Sequence, residues 1–203
     1  MLRAAIICLS IAAAPGLRAD LFVSSYGDNE IIDYKSSGAL GSIISGSELK
    51  SPTGLAFDNT GNLYVSDSGT NQILKFNSNT GQYLGVFAQG GGLSSPNALA
   101  FGPDGNLYVA SGNKVLEFNG QTGAAIGTFA SGHGLSGATG LTFGPDHNLY
   151  VSSPGSNAVL EFNGGTGAFS KTFASGSALK TPGRGVRARR QPVRFEFEIQ
   201  PGS

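Results

Sequence analysis

The chain has 203 residues, of which 32 are glycine, none is tryptophan and only 13% are charged, and its 13 basic residues are balanced by 13 acidic ones. That balance offers no cationic field to gather nucleic acid or an anionic membrane, and the glycine content points to a turn-rich body rather than to long helices. One cysteine, Cys8, excludes a disulfide framework and a cysteine-based metal centre.

The first element is an export leader over residues 1–19: Arg3 in a short positive region, an apolar stretch from Ala4 to Ala14, and Pro15 to Ala19 before Asp20. Its apolar stretch is too short to span a bilayer comfortably. Cleavage after Ala19 removes Cys8 and leaves a mature chain without a thiol or a transmembrane span. The expected location is secreted, periplasmic or cell-surface.

From Asp20 the sequence repeats itself. Leu-Tyr-Val-Ser or a close variant recurs at Leu21, Leu63, Leu107 and Leu149, a period of about 42 to 44 residues. Each copy then runs through an Asn, an aliphatic pair and an aromatic: Asn29 to Tyr34, Asn71 to Phe76, Lys114 to Phe118, and Asn157 to Phe162. Gly38, Gly81, Gly123 and Gly167 follow as turns, and each of the first copies closes on an inner run such as Pro52-Thr53-Gly54-Leu55-Ala56-Phe57. Four short apolar runs separated by Gly, Asn, Asp and Pro read as four strands joined by tight turns. This period and strand count predict an all-β propeller of four-stranded blades. Residues 20–182 form one quasi-linear array, with the glycine and serine runs at Gly90 to Gly92 and Ser131 to Gly134 as interblade loops.

The turn Gly102-Pro103-Asp104-Gly105-Asn106 has a mechanism, since Pro presets a negative φ and Gly permits a positive one. His147 occupies the slot held by Gly61 and Gly105 and is expected to take a positive φ. The fourth run of each copy, such as Ala124 to Phe129, is the least regular and suits an outer edge strand.

After Pro182 the repeat stops, and residues 183–203 form a basic tail. Permitted codons for this tail, read one nucleotide later, spell Gly-Val-Ala-Phe-Gly-Pro-Asp-Gly-Asn-Leu-Tyr-Val-Ser, which is the repeat in its proper place. Degeneracy frees mainly third positions, so a frameshift near residue 182 is the expected origin of the tail. The encoded chain then carries between three and four blades, an incomplete array. Open blade edges are expected to promote self-association.

Pro-x-Gly-Leu-Ala-Phe, Asp-Gly-Asn-Leu-Tyr-Val-Ser and Asn-x-Val-Leu-Glu-Phe-Asn resemble the NHL-repeat propellers and their exported bacterial relatives, the streptogramin-lyase-like and SMP-30-like groups. The resemblance covers Leu21 to Pro182 and implies six-bladed-like rings that serve as enzymes, RNA binders or protein-interaction platforms. It departs from the NHL pattern at two positions. Asp after the second strand survives only at Asp67, with Ser25, Ser111 and Ser153 elsewhere, and the usual Arg is replaced by Glu30, Gln72, Lys114 and Ala158. A basic, RNA-reading face is therefore disfavoured.

Strand order in the resembled family puts the Gly-Leu-Ala-Phe run innermost and gathers the loops between second and third strands on one face. That face would carry Tyr26, Asp28, Asn29, Asp67, Asn71, Asn113, Lys114 and Asn157, with His133 in an interblade loop. They are candidates for a shallow polar groove taking a protein, glycan or small-molecule ligand. The alternative is that these polar residues only satisfy turn backbones. No catalytic residue is assigned, since a lone loop histidine makes a poor general base. No cofactor or metal is expected. The Asp-x-Gly-Asn turns bring one carboxylate each, which suits calcium weakly at best, and Glu117 and Glu161, mid-strand in the third runs, are expected to face solvent. The sequence reads as a non-catalytic, exported binding module, against the alternative of a lactonase- or lyase-type enzyme whose active-site blades lie elsewhere.

Overall fold

A computed structural model describes residues 7–11 and 20–176. The leader's remaining residues and the basic tail lie outside these. The described chain is all β, apart from a single 3-10 turn at Pro154–Ser156.

Sixteen strands form four antiparallel four-stranded sheets, each meandering in chain order. The first contains β1 (Ile7–Ile11), β2 (Leu21–Ser25), β3 (Glu30–Tyr34) and β4 (Leu40–Ser45). The second contains β5 (Pro52–Phe57), β6 (Asn62–Asp67), β7 (Gln72–Asn77) and β8 (Tyr83–Gln89). The third runs β9 (Pro96–Phe101), β10 (Leu107–Ser111), β11 (Lys114–Phe118) and β12 (Ala125–Ser131), and the fourth β13 (Gly140–Phe143), β14 (Leu149–Ser153), β15 (Ala158–Phe162) and β16 (Phe169–Ser175). The first strands β1, β5, β9 and β13 lie side by side, so they are the innermost strands of successive blades. All four outer pairings carry register shifts, as expected of irregular edges, and two inner pairings, β5–β6 and β9–β10, carry one each. Among the described residues the array does not close into a ring.

The innermost strand of the first blade is Ile7–Ile11, a segment that the sequence assigns to the leader.

Period-2 alternation sends one set of side chains to each neighbouring blade. Leu63, Val65, Leu74 and Phe76 of the second blade pack on Phe22, Ile31 and Ile44 of the first. Tyr64 and Ile73, from the opposite face of the same strands, pack on Leu107, Val109, Leu116 and Phe118 of the third. The same division recurs between the third and fourth blades. Burial of a Leu, Val or Phe side chain contributes about 1.5–3 kcal/mol, so these three interblade layers hold the array together. A tyrosine is wedged into two of them: Tyr64 meets Phe87 and Phe101 edge-on at 4.7 and 5.0 Å, and Tyr108 meets Phe129 and Phe143 at 4.7 and 4.9 Å.

Candidate functional site

The loops between second and third strands and the interblade loops share one rim. Asn29 and Asn71 both have φ of 57°, a left-handed conformation that Asn tolerates better than most residues. Their side-chain oxygens reach the next blade: Asn29 Oδ1 accepts the Ser51 N–H at 2.7 Å, and Asn71 Oδ1 accepts the Ser95 N–H at 2.6 Å. Asn113 Oδ1 accepts the Gly137 N–H at 2.9 Å in the same way. Asn157 has a φ of 51° and its backbone donates to Pro154, closing the 3-10 turn.

The position at which the sequence departs from the NHL pattern does equivalent work with two chemistries. Asp67 is buried, and its carboxylate accepts the N–H groups of Lys50 at 2.5 Å, Gly69 at 3.1 Å and Thr70 at 3.0 Å. Ser111 and Ser153 accept the Ser94 and Ser136 N–H groups, each at 2.8 Å. Ser25 instead donates to Asp28 at 2.7 Å. In the second, third and fourth blades, carboxylate or hydroxyl, this residue pins an interblade loop.

The remaining rim candidates are scattered. Tyr26 and Asp28 are exposed, and Lys114 is half-buried beside Gly92. His133 is exposed, with φ of 51°, and its ring lies flat on Phe169 at 4.3 Å. The structure thus brings Asn29, Asn71 and Asn113 into equivalent places on one rim, while His133 is taken up by an outer-strand aromatic.

The opposite face carries a network that the sequence reading did not assemble. In the third blade, the Tyr108 hydroxyl lies 2.9 Å from Asp104 Oδ2 and 3.2 Å from Glu117 Oε1, and Asn106 Nδ2 donates to the same two oxygens at 2.9 and 2.7 Å. The fourth blade repeats it: Tyr150 reaches Asp146 at 2.8 Å, and Asn148 donates to Asp146 at 3.0 Å and to Glu161 at 3.1 Å. In the second blade Lys75 replaces the glutamate opposite Tyr64, and Asp58 accepts from Asn62, Thr60 and Tyr64. The signal was present: Glu117 and Glu161 stand directly across from Tyr108 and Tyr150 in register.

This corrects the solvent-facing expectation for Glu117 and Glu161. Glu161 is only 5% exposed and Glu117 is half-buried, because strand alternation places them on the tyrosine face beneath the outer strand. Glu161 is accommodated by Asn148 and by Lys171, whose Nζ is 3.3 Å from Oε2. Glu117 faces Gly127 at the equivalent place, with no lysine there.

Burial, reinforced by the neighbouring carboxylates, pushes the Tyr64, Tyr108 and Tyr150 hydroxyls well above the usual phenol range. Asp58 and Asp146 go the other way. Burial works to raise them, but donors from Asn62 and Thr60, and from Tyr150 and Asn148, outweigh it and hold both carboxyls below 3.8. His147 takes φ of 62° where Gly61 and Gly105 take 86° and 82°, as its slot requires. Among the described residues no three His, Cys, Asp or Glu side chains converge as a metal cluster, and no helix is long and apolar enough to cross a membrane.

The described body is more acidic than the whole chain. Between Asp20 and Gly176 there are eleven carboxylates and five lysines, a net charge of −6, which the leader and tail offset.

The NHL repeat family matches residues 49–76, which span the inner strand β5 and its two successors. The fold is that of a β-propeller, and its second blade matches the NHL repeat. Among solved structures, a catalytically inactive histidine-to-alanine variant of virginiamycin B lyase from Staphylococcus aureus, with quinupristin, superposes with a TM-score of 0.71 at 17% identity, over 94% of this chain and 62% of that one. A streptogramin B lyase structure gives 0.67 at 17% identity, over 91% and 59%. The nidogen/laminin complex gives 0.65 at 22% identity, over 76% and 59%. The chain therefore spans about three fifths of the length of these solved structures. No curated protein matches it.

Proposed function

We propose that this chain belongs to an exported bacterial propeller that acts as a non-catalytic binding module for a protein, glycan or small molecule. The observation that carries the reading is the rim asparagine row. Asn29, Asn71 and Asn113 each use Oδ1 on the next blade's backbone, which leaves the amide NH2 groups at equivalent places for acceptors on a ligand. Such a row suits a ligand with repeated acceptor oxygens, as in a glycan or a peptide main chain. Asn71→Asp and Asn113→Asp keep the oxygen that holds the backbone and replace the donor amide with a charged acceptor. Screening the purified chain on glycan and peptide arrays should yield a ligand whose affinity falls about tenfold in the double variant at unchanged melting temperature. Equal binding by both proteins would remove the asparagine row from the reading.

A second reading, a lyase, is favoured by the likeness to the virginiamycin B lyase structure. Its active-site blades would lie beyond this chain, so the test uses the protein read in the restored frame: loss of intact quinupristin, followed by mass spectrometry, supports the lyase, and undiminished quinupristin supports the binding module. The leader reading and the frameshift near residue 182 belong to the same proposal. N-terminal sequencing of the exported protein should start at Asp20, and resequencing the locus should restore Gly-Val-Ala-Phe-Gly-Pro-Asp-Gly-Asn in frame.

A further inference from the structure

Each complete blade places an inner strand against the edge of its second strand in one register. In the second blade Leu55, Ala56 and Phe57 stand opposite Val65, Tyr64 and Leu63. Leu99, Ala100 and Phe101 stand opposite Val109, Tyr108 and Leu107 in the third, and Leu141, Thr142 and Phe143 opposite Val151, Tyr150 and Leu149 in the fourth. The residue before each leucine is small: Gly54, Ala98 or Gly140.

The first blade follows the same rule with a segment of different origin. Leu9, Ser10 and Ile11 stand opposite Val23, Phe22 and Leu21, and Cys8 precedes them opposite Ser24, as Gly140 stands opposite Ser152. Cys8-Leu9-Ser10-Ile11 thus reproduces the order small, leucine, small, bulky apolar. A tight hairpin does not impose this register. Nine residues separate Ile11 from Leu21, whereas four separate Phe57 from Asn62. The same Cα register at all four inner edges, reached through connections of different length, points to the residue order rather than the connection as what sets it.

Small residues are required because inner strands crowd one another. A Cβ at Gly54 would stand 2.3 Å from the Asn97 carbonyl oxygen of the neighbouring inner strand.

We propose that the edge of β2, Leu21–Ser25, is a strand-acceptor site specific for an extended peptide with the order small, leucine, small, bulky apolar. Ile7–Ile11 occupies it by imitation, and its removal opens the site to a peptide of that pattern. An exposed edge offers main-chain donors and acceptors for affinity, and alternate side-chain positions for selectivity. That the site opens in the cell rests on the leader reading; that it exists does not, so cleavage in vitro tests it separately from export.

The full-length chain carrying an inserted protease site between Pro15 and Arg18 is folded, then cut. The probe is a labelled peptide with the sequence of residues 51–59. The cut protein should exchange its N-terminal fragment for the peptide, read as a rise in fluorescence anisotropy, and a probe with lysine in place of its leucine should bind at least tenfold more weakly. The uncut protein should bind neither. Equal uptake by cut and uncut protein, equal binding of both probes, or loss of the N-terminal fragment without peptide uptake overturns the proposal. A chain starting at Asp20 provides the second measurement. Cooperative urea unfolding that appears or strengthens when the peptide is added supports the site; an unfolded chain in the presence of peptide, or a dimer that ignores the peptide, overturns it.

Discussion

Asn71 Oδ1 accepts the Ser95 N–H at 2.6 Å across the boundary between two blades. The bond ties a loop of one repeat to the interblade loop of the next, 24 residues on, and Asn113 repeats it onto Gly137 over the same separation. The polar residues of the rim are therefore part of what sets blade spacing.

Asp67 is the strongest of these ties, since one buried carboxylate serves three backbone donors. Hydrogen bonds to a charged group are worth about 1.5–3 kcal/mol, and orphaned buried donors add to the loss. Asp67→Ala should lower unfolding stability by about 3 kcal/mol in urea titrations. Asp67→Ser should lose about half of that, because serine does this work at Ser111 and Ser153. Equal losses for the two variants would show that the hydroxyl cannot substitute here.

His147→Gly tests the positive-φ slot. At φ of 62° a non-glycine residue carries a penalty of about 1–2 kcal/mol, partly offset by the entropy that glycine loses on folding. The glycine variant should be as stable as the parent or up to about 1 kcal/mol more so, whereas His147→Val should be less stable by more than 1 kcal/mol. Thermal melts of both variants read the difference.

How much of this was legible in the sequence depends on distance along the chain. The four-strand repeat, its turns and the positive φ of His147 follow from local spacing, and the structure reproduces them. The partner of Asn71 was not legible, because an amide in a turn looks the same whether it serves its own loop or one 24 residues away. Glu161 was misread for a related reason. Polarity alone suggested solvent, while the cross-strand position opposite Tyr150 and the lysine on the outer strand decide its burial. The pairing of Ile7–Ile11 with β2 was not legible either, because apolar composition serves export and inner-strand pairing equally well and a register needs its partner strand.

Acid sensitivity follows from Asp58 and Asp146. Both carboxyls titrate below 3.8 in the folded chain, so near that pH the unfolded state binds more protons than the folded one. Their contribution is complete above the unfolded value and is lost as pH falls through the folded value. Urea midpoints should therefore decline below about pH 4. Asp58→Asn, which retains an acceptor for Thr60 and Asn62 but no titrating proton, should be less stable at pH 7 and show a shallower decline between pH 5 and pH 3. An unchanged slope would remove Asp58 as a contributor.

The inner strands of neighbouring blades approach each other closely, and Gly54→Ala probes that contact. The added methyl would lie 2.3 Å from the Asn97 carbonyl oxygen and 2.9 Å from the Ala98 Cα, both backbone atoms that cannot rotate away. The only relief is to separate β5 from β9, which stretches the 2.8 Å bond from Thr53 Oγ1 to the Pro96 carbonyl. Overpacking of this kind costs about 1–3 kcal/mol, and the loss of the buried Thr53 bond adds about 1 kcal/mol. Gly54→Ala should therefore lower urea stability by about 2–4 kcal/mol, and adding Thr53→Val should cost less in the Gly54→Ala background than alone, because the strained bond is already compromised. Additive losses would mean that the two inner strands move independently and that the blade boundary is held by the Leu, Val and Phe layers instead.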